Sequence, residues 1–156
     1  MSAVNPIPDD YPRIAPYLVV DGAAAAIDFY RSVFGMTERL RIPIPGGKVG
    51  HAELQLGDAL VMVADEAPDM GAHGPKAFGG AAVTVGIYVE DSDAVFQRAL
   101  AAGATEIAPI QQAFYGDRVG RLKDPWGHVW TVASRVEDVP PEEIFRRSEE
   151  MFGAGG

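Results

Sequence analysis

Apolar and polar residues alternate along this chain in short segments cut by glycine and proline. The apolar run from Ile14 to Val20 reads as a strand, with Pro16 marking an edge position or a bulge. After Asp21 and Gly22, Ala26, Ile27, Tyr30, Val33 and Phe34 recur at three-and-four spacing and predict a helix. Gly35 is placed to stop that helix in the left-handed conformation. His51 to Leu56 and Ala59 to Val63 then predict two strands joined by a tight hairpin at Gly57 and Asp58. The same order returns. Val83 to Val89 reads as a strand, and Glu90 to Asp93 offer helix-capping side chains. Val95, Phe96, Ala99 and Leu100 form a helical stripe ending at Gly103. Arg118 to Lys123 and His128 to Ser134 predict a second hairpin around the turn at 124–127.

Laying Val20 on Val89 brings Gly35 within one residue of Gly103, an internal period of about 69 residues. Neither half buries both a helix and a sheet alone, so the pattern predicts two β-α-β-β-β modules. The expected fold class is α+β, with the two modules forming a curved mixed sheet around a cavity. A short C-terminal helix follows, opened by Pro140 and Pro141 and carrying Ile144, Phe145, Met151 and Phe152 on one side. Module 1 spans 13–65, a linker 66–80 and module 2 81–135, together one domain, with a helical tail over 136–156. The segment from Asp65 to Gly80 reads as that linker or as a lid.

Strand alternation sorts the faces. Leu18, Val20, Ala52, Leu54, Val61 and Val63 are assigned to the helix side of module 1. Tyr17, His51, Glu53 and Met62 are assigned to the opposite side. In module 2, Thr84, Gly86 and Tyr88 face away from the helix. A four-residue turn at 124–127 pairs Lys123 with His128, and this puts Arg118, Gly120 and Leu122 on the face of Thr131. The faces away from the helices mix small, aromatic and a few polar residues, a composition that suits a ligand cavity.

These residues resemble the vicinal oxygen chelate superfamily, which includes glyoxalase I, bleomycin-resistance proteins and extradiol dioxygenases. The matching segments are 17–22, 26–36, 99–104, 115–120 and 124–130, and they look most like the PhnB-like, glyoxalase/bleomycin-resistance-like branch. The resemblance implies a homodimer. It also implies metal ligands at Ala15, at Met62 or Ala64, at Thr84 and at Thr131. None of these side chains is imidazole or carboxylate, so no metal and no cofactor is expected.

Composition narrows the partners. The 156 residues carry 13 basic and 22 acidic side chains, a net charge of −9. That balance repels nucleic acid. The absence of cysteine removes disulfides and thiolate chemistry. The apolar stretches are too short and too glycine-rich to span a membrane, and the N-terminus lacks the pattern of a secretory signal, so a cytoplasmic location is expected.

The ligand-binding candidates are therefore Tyr17, His51, Glu53, Met62, Thr84, Tyr88, Tyr115, Arg118 and Thr131. Arg118 reads either as an anchor for a carboxylate or phosphonate or as half of an internal ion pair with Glu53 or Asp117. Phe114 and Trp126 join the tyrosines as surfaces for a flat ligand, or as core. His51 and Glu53, two apart on one strand face, are the catalytic candidates: a base with its orienting carboxylate, or a hydrogen-bonded polar pair. Two functions follow. One is a metal-independent small-molecule-binding protein, similar to the sequestering bleomycin-resistance type. The other is a lyase, isomerase or dioxygenase-type enzyme using His51 and Glu53, with or without a metal.

Overall fold

A computed structural model describes residues 4–153; the first residues of the leader and the last of the tail lie outside them. The chain divides into two compact units. The first runs up to Ala82 and includes Pro125–His128; the second holds Val83–Asp124 and everything after His128.

In the first unit, strand β1 (Tyr17–Val20) leads into helix α1 (Ala23–Phe34), then β2 (Thr37–Ile44), β3 (Lys48–Leu56) and β4 (Ala59–Asp65). The sheet order is β1-β4-β3-β2, with β1 parallel to β4 and the other pairs antiparallel. The predicted helical stripe is the buried one: Ala26, Ile27, Tyr30, Val33 and Phe34 are all at most 3% exposed. Gly35 ends α1 with φ 74°, and its amide bonds back to Arg31 and Tyr30 carbonyls. The hairpin at Gly57 and Asp58 pairs Leu56 with Ala59, as the alternation requires.

The second unit repeats this with β5 (Thr84–Tyr88), α2 (Ser92–Ala101), β6 (Thr105–Gln112), β7 (Asp117–Lys123) and β8 (Val129–Arg135) in the order β5-β8-β7-β6. Asp91 caps α2 by accepting the Ala94 amide. Helix α3 (Pro141–Phe152) follows. The prediction of two modules, an α+β class and a C-terminal helix holds. Between β4 and β5, residues 68–70 and 75–78 make two single 3-10 turns. Two of the outer strands, β2 and β6, contain a proline, Pro43 and Pro109, which an edge strand accommodates because one side of it donates no ladder bonds.

The repeat extends to single bonds. Asp65, the last residue of β4, accepts the amides of Gly22 and Ala23 at the start of α1, and of Val49. Ser134, at the matching place in β8, accepts the amide of Ser92 at the start of α2 and donates to the Val89 carbonyl. Each module thus ties its helix N-terminus to the strand that pairs with its first strand.

One expected register is wrong. Lys123 pairs with Val129, not His128, so residues 124–128 form a five-residue connection. That single step turns β7 over. Arg118, Gly120 and Leu122 lie with Ser134, Val132 and Trp130 on the side of α2, where a Cβ on Gly120 would stand 2.8 Å from Phe96. Asp117, Val119, Arg121 and Lys123 are the residues that share the face of Thr131. The extra residue is accommodated because the 125–128 segment packs elsewhere, in the first unit. Trp126 lies edge-on to Phe29 and Tyr30 of α1, and the His128 Nε2 atom bonds the Val19 carbonyl at 2.9 Å. Trp126 is therefore packed against the core of the first unit.

Candidate functional site

The sheet of the first unit buries one face under α1. Its opposite face carries a row of residues read across the strands: Tyr17 on β1, Met62 on β4, Glu53 on β3 and Leu40 on β2. His51 and its partner Ile42 stand in the next row.

Alternation brings His51 and Glu53 to one side, and there they meet. The Tyr17 hydroxyl lies 2.7 Å from His51 Nδ1, and His51 Nε2 lies 3.2 Å from Glu53 Oε1. Glu53 is only 3% exposed. Burial pushes its carboxyl group up, but hydrogen bonds from Tyr11 and His51 and the charge of Arg39 outweigh it and hold it below the ordinary carboxylate value. The same side chain raises the Tyr11 hydroxyl, and burial raises the Tyr17 hydroxyl. The protons can then be placed. An ionised Glu53 only accepts, so His51 Nε2 carries a hydrogen toward it; in the neutral imidazole Nδ1 then accepts from the Tyr17 hydroxyl. The chain Tyr17–His51–Glu53 runs from a half-exposed tyrosine to a buried charge.

Two contributors come from segments that periodicity does not reveal. Tyr11, in the leader, donates to Glu53 Oε1 at 2.7 Å. Arg39 sits in a bulge: Glu38 pairs with Leu54 and Leu40 with Glu53, leaving Arg39 as the extra residue. It approaches Glu53 Oε2 at 3.6 Å, bonds Asp10 at 2.5 Å, and lies 4.5 Å over the Tyr11 ring. Glu53 Oε2 makes no hydrogen bond among the described residues. A bulge between two pairing strands leaves no mark in an alternation pattern; the Asp10-Tyr11 pair next to Pro12 was the only available signal.

The remaining candidates lie in the second unit. Thr84 and Thr131 share its face away from α2, with Gly86 between them across the β5–β8 pair. Tyr88 is on the same face, and its hydroxyl donates to Asp117 Oδ2 at 2.5 Å, which raises it. Asp117 is 3% exposed, with Arg135 3.7 Å from its other oxygen. Tyr115 lies in the turn before β7, edge-on to Phe114. Arg118 is not on this face. It forms a bidentate ion pair with Asp93 of α2, at 2.5 and 2.8 Å, a third partner beyond the two its sequence position suggested.

The metal positions implied by resemblance do not make a metal site. Met62 and Ala64 on β4, Thr84 on β5 and Thr131 on β8 are thioether, methyl and neutral hydroxyl side chains. Among the described residues no three His, Asp or Glu side chains come together to hold an ion. His51 and Glu53 are a pair already committed to each other. The donor set does not fit a divalent cation.

Comparison with known proteins agrees with this architecture. A family model described as Glyoxalase/Bleomycin resistance protein/Dioxygenase superfamily matches residues 12–132. Proteins of Mycobacterium tuberculosis (H37Rv) and Mycobacterium bovis, both described only as uncharacterized, are 43% identical over 136 residues, 85% of this chain and 80% and 90% of theirs. Among solved structures, TioX from Micromonospora sp. ML1 is 30% identical with a TM-score of 0.62, over 80% of this chain and 99% of that one. Protein PA1353 from Pseudomonas aeruginosa shares the fold, with a TM-score of 0.65 at 23% identity over 81% and 99% of the two chains. On the family match and the repeated strand order together, the chain belongs to the glyoxalase/bleomycin resistance protein/dioxygenase superfamily.

Proposed function

We propose that this chain binds a small organic molecule, without a metal, on the face of the first unit's sheet that bears Tyr17. The observation that carries the reading is the Tyr17–His51–Glu53 chain, a polar path ending in a half-exposed tyrosine. Around it Met62 is partly buried, and Leu40 and Ile42 are 41% and 49% exposed. An apolar surface with one oriented polar group is what a small-molecule site requires. Because the Tyr17 proton is engaged by His51, its oxygen offers an acceptor, and the favoured ligand presents an N–H or O–H beside apolar bulk. Sequestration of the bleomycin-resistance kind, by a cytoplasmic homodimer, is the form of this function we favour. The exposed Phe145, Met151 and Phe152 of α3 offer a second copy an apolar surface.

One geometric feature favours a second reading. Glu53 fixes the Nε2–H tautomer and leaves Nδ1 basic against the Tyr17 hydroxyl, the arrangement by which a carboxylate orients a general base. Proton transfer on a bound substrate through Tyr17 would use it.

A thermal-shift screen of small organic molecules tests the first reading. A ligand at about a hundred times its Kd stabilises the fold by about 2.7 kcal/mol, and Tyr17→Phe should diminish that gain. If no compound raises the melting temperature, or if the purified protein carries stoichiometric metal, the reading fails. Should turnover be found, His51→Ala decides between the two, since a merely bound ligand does not need it as a base.

A further inference from the structure

The two modules place different chemistry on equivalent positions. In the first, Tyr17 pairs with Met62 and Met62 with Glu53. In the second, Gly86 pairs with Thr131 and Thr131 with Arg121. Leu40 and Ala108 complete the rows on β2 and β6, each just after a bulge that follows Glu38 or Glu106. Where the first row is large and carries a carboxylate on β3, the second is smaller and carries a guanidinium at the equivalent place on β7.

We propose that Arg121 and Lys123, with the hydroxyl of Thr131, form a binding site for the anionic group of a small molecule, a carboxylate or a phosphate. Arg121 and Lys123 alternate onto the same face of β7, about 7 Å apart along the strand. Both are exposed, and among the described residues neither has a carboxylate or carbonyl partner. Arg121 differs in this from Arg39, Arg41, Arg118, Arg135, Arg146 and Arg147, each of which holds an acidic side chain. Their cross-strand neighbours are Thr131 and Ala108 for Arg121, and Val129 and Thr105 for Lys123, none of them acidic.

Nor do these cations guard an edge. β7 is an inner strand of the sheet, so they do not serve the usual purpose of charges that block strand addition. Gly86 stands opposite Thr131 on β5, where a Cβ would lie 3.0 Å from Thr131 Oγ1, so glycine there leaves that hydroxyl uncrowded. An anion seated there takes two parallel bonds from the guanidinium fork, one from the Thr131 hydroxyl and the charge of Lys123. Tyr88, 62% exposed on the same face, offers a ring to the body of the ligand.

The test titrates the full chain with inorganic phosphate and, separately, with benzoate at constant ionic strength, following backbone amides by NMR. Saturable shifts at 119–123 and 131 are expected, with benzoate also moving Tyr88 if the ligand is an aromatic carboxylate rather than a phosphate. Arg121→Gln should weaken binding by roughly tenfold or more. Lys123→Gln should weaken it several-fold, and Lys48→Gln, which removes an exposed cation from β3, should leave it unchanged. The proposal is overturned if neither anion binds saturably, or if Lys48→Gln weakens binding as much as Arg121→Gln, the signature of net charge alone. Circular dichroism of the variants separates a lost site from a lost fold.

Discussion

The Tyr11 hydroxyl donates to Glu53 Oε1 at 2.7 Å across 42 residues of chain, so a leader residue supplies a hydrogen bond to a buried carboxylate. Tyr11→Phe should lower the urea midpoint at neutral pH. Because the Glu53 carboxyl is held below its ordinary value of 4.5, the stability it contributes is present above that value and lost as pH falls through its lower folded value. The deficit of Tyr11→Phe should therefore shrink on acidification, and urea unfolding as a function of pH measures it. A constant deficit down to acid pH would assign the role of Tyr11 to ring packing on Arg39 instead.

Asp65 and Ser134 hold the two helix N-termini with unequal numbers of bonds. Asp65→Ala strands three amides and should cost about 2–4 kcal/mol, whereas Ser134→Ala, which strands one, should cost about 1 kcal/mol. Equilibrium denaturation of the two variants should show that order.

Gly116 precedes β7 at φ 102°, and a Cβ there would run into the Glu137 carbonyl. Its own carbonyl accepts the Val136 and Glu137 amides, anchoring the segment between β8 and α3. Gly116→Ala combines left-handed strain with this collision and should cost more than about 2 kcal/mol. Protease should then cut between 136 and 140 faster than in the parent chain.

Glu143 is pulled down to about 2 by hydrogen bonds from Arg146 and Arg147 in α3. Its contribution is complete above the unfolded value of 4.5 and disappears as pH falls toward 2. Far-ultraviolet circular dichroism should show helix loss in that window, and Glu143→Gln should bring the loss to neutral pH. The same variant should leave the Tyr17–His51–Glu53 chain unaffected.

The repeat was legible because it is written in strong signals: glycine stops, helical stripes and paired apolar runs. Module 1 faces followed correctly from one short turn at Gly57 and Asp58, whose length leaves no choice of register. In module 2 the faces of β5 and β8 followed too, but that of β7 did not, because Asp124 to His128 offers both a four- and a five-residue connection, and parity depends on the difference. That is why Arg118 exchanged places with Arg121. The contact of His51 with Glu53 was readable from spacing; their partners were not. Tyr11 reaches Glu53 through the path of an irregular leader, and Arg39 through a bulge, and neither obeys a period.

The bulges of β2 and β6 occupy the same place in both modules, yet one displays Arg39 and the other Ile107. The residue inserted on each of these strands stands outside the ladder while its neighbours keep their pairing with the inner strand. On β2 the inserted residue also carries structural weight, because Arg39 reaches the buried Glu53 as well as Asp10. Arg39→Ile would leave the buried Glu53 without its nearest cation, whereas Ile107→Arg would add a charge to a half-exposed position of β6, so the two bulges are not equally free to change.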